Sequence, residues 1–371
     1  MLAKEGQIRI PSGCAISGIF MRDGSRISGR DIITSIATMH DRSNGLGGGF
    51  AAYGIYPEYR DAYALHVFYD DDEAKKDLEK FLDRHFEIDN LSKIPTRQVK
   101  GIADSPLIWR YFVRPNRHRL ADSQLSEEEF VARCVIRVNS EFEGSYIFSS
   151  GKNMGAFKGV GYPEDIGEFY RLDEYEGHCF LAHGRYPTNT PGWWGGAHPF
   201  SMLNYAVVHN GEISSYDANR RFIEMFGYRC SLLTDTEVIA YMVDYLNRRI
   251  GLEMPEIAQV FAASFWSTIR RLGPREAAQA AYLRQAFPSM LMTGPFSILV
   301  GFEDGMMALN DRLKLRSMVT AEKGSAVYVA SEECAIRAVA PDAENLYAPA
   351  GGEPFIVRLD SARVPAAERG A

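Results

Sequence analysis

Pro11-Ser12-Gly13-Cys14-Ala15-Ile16-Ser17-Gly18-Ile19-Phe20 sets a thiol directly ahead of an apolar run that reads as a strand. By residue type alone, a cysteine there is a buried core residue. Its position suggests a second use. Removal of the first thirteen residues would make Cys14 the N-terminus. A free α-amine, with a pKa of about 7.7–8.0, is a base for its own thiol. An internal Cys14 offers only an amide nitrogen, so this chemistry requires cleavage between Gly13 and Cys14.

Outward from Cys14, strands and helices mix without a regular βαβ repeat. Residues 28–42, 72–86, 127–142, 235–250 and 257–272 read as helices, the first with Ser28 and Asp31 as a capping pair. Residues 50–56, 61–69, 178–183, 204–209, 296–302, 306–310 and 326–330 read as strands. Residues 94–126 are polar and contain Pro and Arg without a period that places boundaries. The pattern predicts an α+β fold with largely antiparallel sheets rather than a doubly wound parallel sheet.

Composition narrows the class. The chain has 371 residues, 46% of them hydrophobic, enough for a sizeable core. A net charge of −7 argues against a general nucleic-acid binder and against an anionic membrane surface as partner. No stretch approaches the roughly 20 apolar residues of a membrane span. Residues 1–13 lack the long apolar centre of a secretory signal. Cys14, Cys134, Cys179, Cys230 and Cys334 are odd in number and contain no C-x-x-C. They point away from zinc ribbons and disulfide frameworks and toward a reducing, cytoplasmic setting.

Three further stretches carry chemistry. In His183-Gly184-Arg185-Tyr186-Pro187-Thr188-Asn189-Thr190-Pro191-Gly192-Trp193-Trp194, Arg185 offers a planar fork suited to a carboxylate. Trp193 and Trp194, bounded by glycines, read either as packed aromatics or as a lid. Asn210-Gly211 after a strand is a hairpin-turn dipeptide, and the same turn could aim an amide and a backbone N–H at one oxyanion. Thr234-x-x-Glu237 reads as a capping box that leaves Asp235 at the first helical position, ionised and able to accept an ammonium group. His178, His183, His198 and His209 lack metal-ligand spacing, and no metal site is expected. Residues 45–49 are glycine-rich without a phosphate-loop signature and read as a tight backbone passage beside the active centre.

Together these residues resemble the class II glutamine amidotransferases, which are N-terminal-nucleophile hydrolases, and among them the amidotransferase portion of glutamate synthase. The stretch from Cys14 to Phe20 looks like the mature N-terminus of that family. The segment from His183 to Thr190 is similar to its glutamine-carboxylate motif. Thr188-Asn189-Thr190, the tryptophans and His198-Pro199-Phe200 give it the glutamate synthase flavour. His209-Asn210-Gly211-Glu212-Ile213 resembles the oxyanion motif, and Thr234-Asp235-Thr236-Glu237 the substrate-ammonium motif. Later blocks, from Gly294-Pro295-Phe296 to Asn310-Asp311-Arg312-Leu313-Lys314-Leu315-Arg316 and at Val329-Ala330-Ser331-Glu332-Glu333, look like the same domain.

The resemblance implies a four-layer αββα sandwich over residues 14–371, a leader at 1–13 that is removed, and a family-specific elaboration at about 61–176. It implies glutamine hydrolysis through a cysteinyl thioester. Cys14 would be nucleophile and, through its amine, base; Asn210 and Gly211 would hold the oxyanion. Arg185, Thr188 and Asp235 would bind substrate, and Trp193 and Trp194 stay, on the reading of the residues alone, either packed aromatics or a lid. The sequence carries no flavin barrel, Fe–S cysteine cluster or nucleotide fingerprint. The expected role is therefore the glutaminase subunit of a multi-subunit glutamate synthase, with no cofactor on this chain. FMN and, as a further expectation, Fe–S clusters would sit on partner subunits. An N-methylglutamate synthase-type subunit and a non-catalytic glutamine-binding subunit fit the same residues.

Overall fold

The structure is a computed structural model that describes residues 13–186 and 192–360. The strand Ala15–Met21 lies at the centre of a seven-stranded sheet. On one side it pairs antiparallel with Cys179–Gly184, and on the other with Ala326–Ala330. Gly48–Tyr53 and Met154–Gly159 extend the first side, and Val319–Lys323 and Glu344–Tyr347 the second. A second, five-stranded antiparallel sheet runs in the order Phe200–Met202, Tyr205–Gly211, Phe296–Phe302, Gly305–Asn310 and Phe355–Arg358.

Side-chain alternation along these strands builds the layers. Ile16 and Phe20 point from the first sheet into a core shared with Val208, Leu299 and Met306 of the second. Ala15 and Ile19, one residue out of phase, point the other way, against Ile32, Ile36, Ile166 and Ile336 of the helices on that face. Val207, Ile298 and Val300 of the second sheet point outward against Val238, Met242, Ile257 and Phe261. The result is the expected αββα sandwich, with the two sheets face to face and helices covering both outer surfaces.

A third, four-stranded sheet is ordered Phe86–Lys93, Leu107–Pro115, Tyr63–Tyr69 and Ser145–Ser149. Helices Asp72–His85 and Glu127–Glu141 accompany it. It is tied back by Glu129, which accepts from Arg248 at 2.7 Å and Arg249 at 3.0 Å. Within 61–176, Met154–Gly159 and Pro163–Phe169 belong to the sandwich itself. Among the described residues no helix is long and apolar enough to cross a membrane.

Several elements differ from the sequence reading. The first helix is Arg30–Ala37 with Gly29 as its cap residue; Ser28 Oγ still accepts from the Arg30 N–H at 3.1 Å, and a Cβ on Gly29 would overlap the Leu172 carbonyl oxygen. The expected helix at 257–272 is Met254–Phe261 and Trp266–Ile269, separated by a break. At that break Arg312 donates to the Ala263 carbonyl at 3.2 Å and its guanidinium lies over the Phe265 ring. The helix Asp235–Asp244 continues as a wider turn over Tyr245–Arg249 before stopping at Gly251, whose φ is +82°.

Candidate active site

The register of the central strand pair sets the site. Ala15 is opposite Gly184, so the residue before one strand, Cys14, meets the residues after the other, Arg185 and Tyr186. The Tyr186 N–H donates to Cys14 Sγ at 3.3 Å. Arg42 donates twice to the Cys14 carbonyl, at 3.3 and 3.2 Å, and once to Glu332 at 2.7 Å. Burial pushes the Cys14 thiol up from its ordinary pKa, opposed by the Tyr186 bond and the charges of Arg185 and Arg316. A thiol held up in this way needs a base before it can attack.

Gly13 has φ +123°, and a side chain there would meet Arg316 Nη1 at 3.1 Å and Asn210 Oδ1 at 3.9 Å. Asn210 is fully buried; its Nδ2 lies 3.4 Å from Ser331 Oγ, and its Oδ1 has no partner among the described residues. Ser331 Oγ also accepts from the Ile16 N–H at 3.1 Å, fixing the start of the Cys14 strand.

The hairpin expected at Asn210-Gly211 does not form. Both residues remain in the strand Tyr205–Gly211, opposite Ser297 and Phe296. Gly211 still has φ +157°, and a Cβ would sit 2.7 Å from Phe296 Cα and overlap the Pro295 carbonyl oxygen. Close strand pairing, not a turn, is what demands glycine here.

Arg185 is threaded through the glycine-rich passage expected at 45–49. Its N–H donates to Gly47 O at 2.9 Å, its carbonyl accepts from Ser43 Oγ at 3.1 Å, and a Cβ on Gly47 would lie 3.0 Å from Arg185 Cδ. Burial lowers the Arg185 pKa, countered by Cys14 and Asp235.

Asp235 opens its helix as expected. Its Oδ2 accepts from the Ile213 N–H at 3.0 Å, and its Oδ1 accepts from the Thr236 hydroxyl at 3.2 Å and lies 3.4 Å from His209 Nδ1. Burial would raise its pKa, but His209 and these hydrogen bonds hold it below the usual range. The capping box is half present. Thr234 accepts from the Thr236 N–H at 3.4 Å, but Glu237 turns into the core instead of back to Thr234. There it accepts from the Leu232 N–H at 3.0 Å and the Tyr241 hydroxyl at 3.2 Å, and burial pushes it up to about 7.

The tryptophans divide. Trp194 packs edge-on against Phe68 and Phe169, and any side chain on Gly159 would overlap its ring. Trp193 is 42% exposed and lies over Gly195 and Gly196. Beneath this loop the fully buried Lys158 donates to the Gly195 carbonyl at 2.9 Å, and burial pulls it down to about 7. Thr188 lies outside the described residues.

Sequence reading missed Arg42, Arg316, Ser331, Lys158 and the approach of His209 to Asp235. Arg316 and Ser331 do fall in the two late blocks noted for resemblance. Lys158 had no local signal, and His209 fell in the quoted oxyanion stretch without any sign of Asp235, since only the fold brings their partners near.

A profile of the family described as glutamine amidotransferases class-II matches residues 56–337. That span holds Arg185, Asn210, Gly211 and Asp235 and begins after Cys14. An uncharacterized protein of Archaeoglobus fulgidus is 48% identical over 94% of this chain and 93% of its own length. A putative glutamine amidotransferase of Methanothermobacter thermautotrophicus is 25% identical over 89% of this chain and 95% of its own. Among solved structures, the glutamine phosphoribosylpyrophosphate amidotransferase from B. subtilis aligns with 93% of this chain at a TM-score of 0.47 and 17% identity. The present chain spans 47% of that protein's length.

Proposed function

The chain belongs to the class II glutamine amidotransferases, and on that premise we propose that it is the glutaminase subunit of a multi-subunit glutamate synthase. It hydrolyses L-glutamine to glutamate and ammonia through a thioester on Cys14. The observation that supports glutamine hydrolysis is the strand register that seats the Cys14 thiol against Tyr186 and Arg185, with the charge of Asp235 felt at the thiol and Asn210 beside Gly13.

Release of residues 1–13 frees the Cys14 α-amine, which takes the thiol proton. The sulfur attacks the side-chain amide carbon of glutamine. The tetrahedral oxyanion forms beside the Asn210 amide and the Gly211 N–H. In the full-length chain the Asn210 amide lies beside Gly13, where a Cβ would be 3.9 Å from its Oδ1. As the intermediate collapses, the Cys14 α-ammonium gives its proton to the departing amide nitrogen, the C–N bond breaks, and ammonia leaves the thioester. Water, activated by the same amine, then cleaves the thioester to glutamate. Arg185 takes the α-carboxylate and Asp235 the α-ammonium, which together select an α-amino acid.

Ammonia passes to a partner subunit that carries FMN, with Fe–S clusters as further groups of the complex, in the cytoplasm. The reading is tested by assaying purified protein for glutamate and ammonia release and by identifying co-purifying chains. Cys14→Ala is expected to abolish release while Cys334→Ala, at an exposed thiol, leaves it intact. Equal activity in Cys14→Ala would refute the nucleophile. A complex without a flavin-bearing chain would refute the glutamate synthase assignment.

A further inference from the structure

Behind Asp235 lies a buried polar cluster that the steps above do not use. Thr236 is fully buried, and His183, His198 and His209 are 0%, 6% and 3% exposed. The Thr236 hydroxyl is the hub. It lies 2.6 Å from His198 Nε2, 3.2 Å from His209 Nδ1 and 3.2 Å from Asp235 Oδ1.

A hydroxyl has one proton and two lone pairs. Asp235, kept as a carboxylate, can only accept, so the Thr236 proton goes to it. Both imidazoles must then donate to Thr236, His198 through Nε2–H and His209 through Nδ1–H. His183 donates through Nε2 to the His209 carbonyl at 2.9 Å, and its ring lies against His198 with centroids 3.9 Å apart and planes tilted by 32°. Among the described residues the remaining nitrogens of His183 and His198, both Nδ1, are buried without partners, as lone pairs can be but N–H groups cannot cheaply be. Burial pulls His183 down to about 3 and His198 well below its ordinary value, in keeping with neutral rings. The cluster thus directs its protons toward one carboxylate oxygen, while the Ile213 N–H pins the other. Thr236 is not needed to cap its helix, because Thr234 does that.

We propose that Thr236 is a positioning residue for substrate recognition: its hydroxyl, oriented by His198 and His209, holds the Asp235 carboxylate where it receives the α-ammonium group of glutamine. This rests on the assignment of Asp235 as the ammonium site. Such a residue acts on glutamine and not on a competitor that lacks the amine. A purely structural residue affects both.

The test compares wild type, Thr236→Val, Thr236→Ser and Asp235→Asn, each expressed as the whole chain and assayed after processing to begin at Cys14. Two quantities are read: KM for L-glutamine, and the inhibition constant of glutaramate, which keeps the amide and carboxylate but has no amine. Loss of a hydrogen bond to a charged group predicts that Thr236→Val raises KM about tenfold, with kcat within about threefold. Glutaramate inhibition stays within about twofold, and Thr236→Ser restores wild-type values. Should Thr236→Val fail to fold, Thr236→Ala removes the same hydroxyl without adding bulk. Parallel weakening of glutamine and glutaramate, or an unchanged KM, overturns the proposal. If Asp235→Asn weakens glutamine alone while Thr236→Val does not, only the role of Thr236 falls. If Asp235→Asn changes neither, the ammonium-site assignment falls with it.

Discussion

Glu237→Gln isolates the electrostatics of the buried pair beneath the tryptophan loop. Glu237 is 1% exposed, and its pKa rises from 4.5 to about 7 through burial, against the Leu232 and Tyr241 hydrogen bonds and the charge of Lys158. Between those values the folded chain holds a proton that the unfolded chain has lost. Stability therefore falls as pH rises through that window, by at most about 1.4 kcal/mol per pH unit. Integrated over the shift, the carboxylate costs roughly 3 kcal/mol once fully ionised. Glutamine keeps an acceptor for the Leu232 N–H, and its amide can donate to the Tyr241 oxygen, so packing is preserved. Lys158 acts over the next window. Its pKa falls from 10.5 to about 7, so its destabilising effect is present at low pH and stability rises as pH climbs above about 7. The assay is urea unfolding of wild type and variant at steps from pH 4 to 9. The difference, variant minus wild type, is expected to grow by about 3 kcal/mol between pH 4.5 and 7. The rising limb due to Lys158 shifts to lower pH, because the Glu237 charge no longer supports its ammonium form. A difference that stays flat across this window would refute the assignment of the burden to Glu237.

Other outcomes follow from the same geometry. Arg185→Lys replaces a fork by a point charge and should raise KM for glutamine by about ten- to a hundredfold with little change in kcat, read by steady-state kinetics. Gly211→Ala meets Phe296 Cα at 2.7 Å with φ at +157°. It should lower unfolding free energy by about 3 kcal/mol or more, read by urea midpoints.

Much of this was legible in the sequence where period and local chemistry agree. The strands Phe296–Phe302 and Ala326–Ala330 and the helices Asp72–His85 and Glu127–Glu141 declare themselves by alternation or by an apolar stripe. The strand Met154–Gly159 did not, because its glycines and the fully buried Lys158 break the apolar signal. The helix Pro274–Ala286 was missed because it buries only Leu283 and has no stripe to read. In the site, Cys14, Arg185 and Asp235 were legible as residue types suited to one substrate. Their meeting depends on a register between strands more than 150 residues apart, which no local pattern encodes. Asn210-Gly211 and Thr234-x-x-Glu237 misled for a common reason. Each matches a local motif, but strand pairing with Phe296 and core burial of Glu237 outweighed it.

The central claim is that Cys14, exposed as an N-terminus, attacks the glutamine side chain. A glutamine-derived diazoketone incubated with active protein and followed by intact-mass and peptide mapping tests it directly. The account predicts a single adduct on the Cys14 sulfur of a chain that begins at Cys14. An active chain that still begins at Met1, or an adduct on any other residue with Cys14 unmodified, would contradict it.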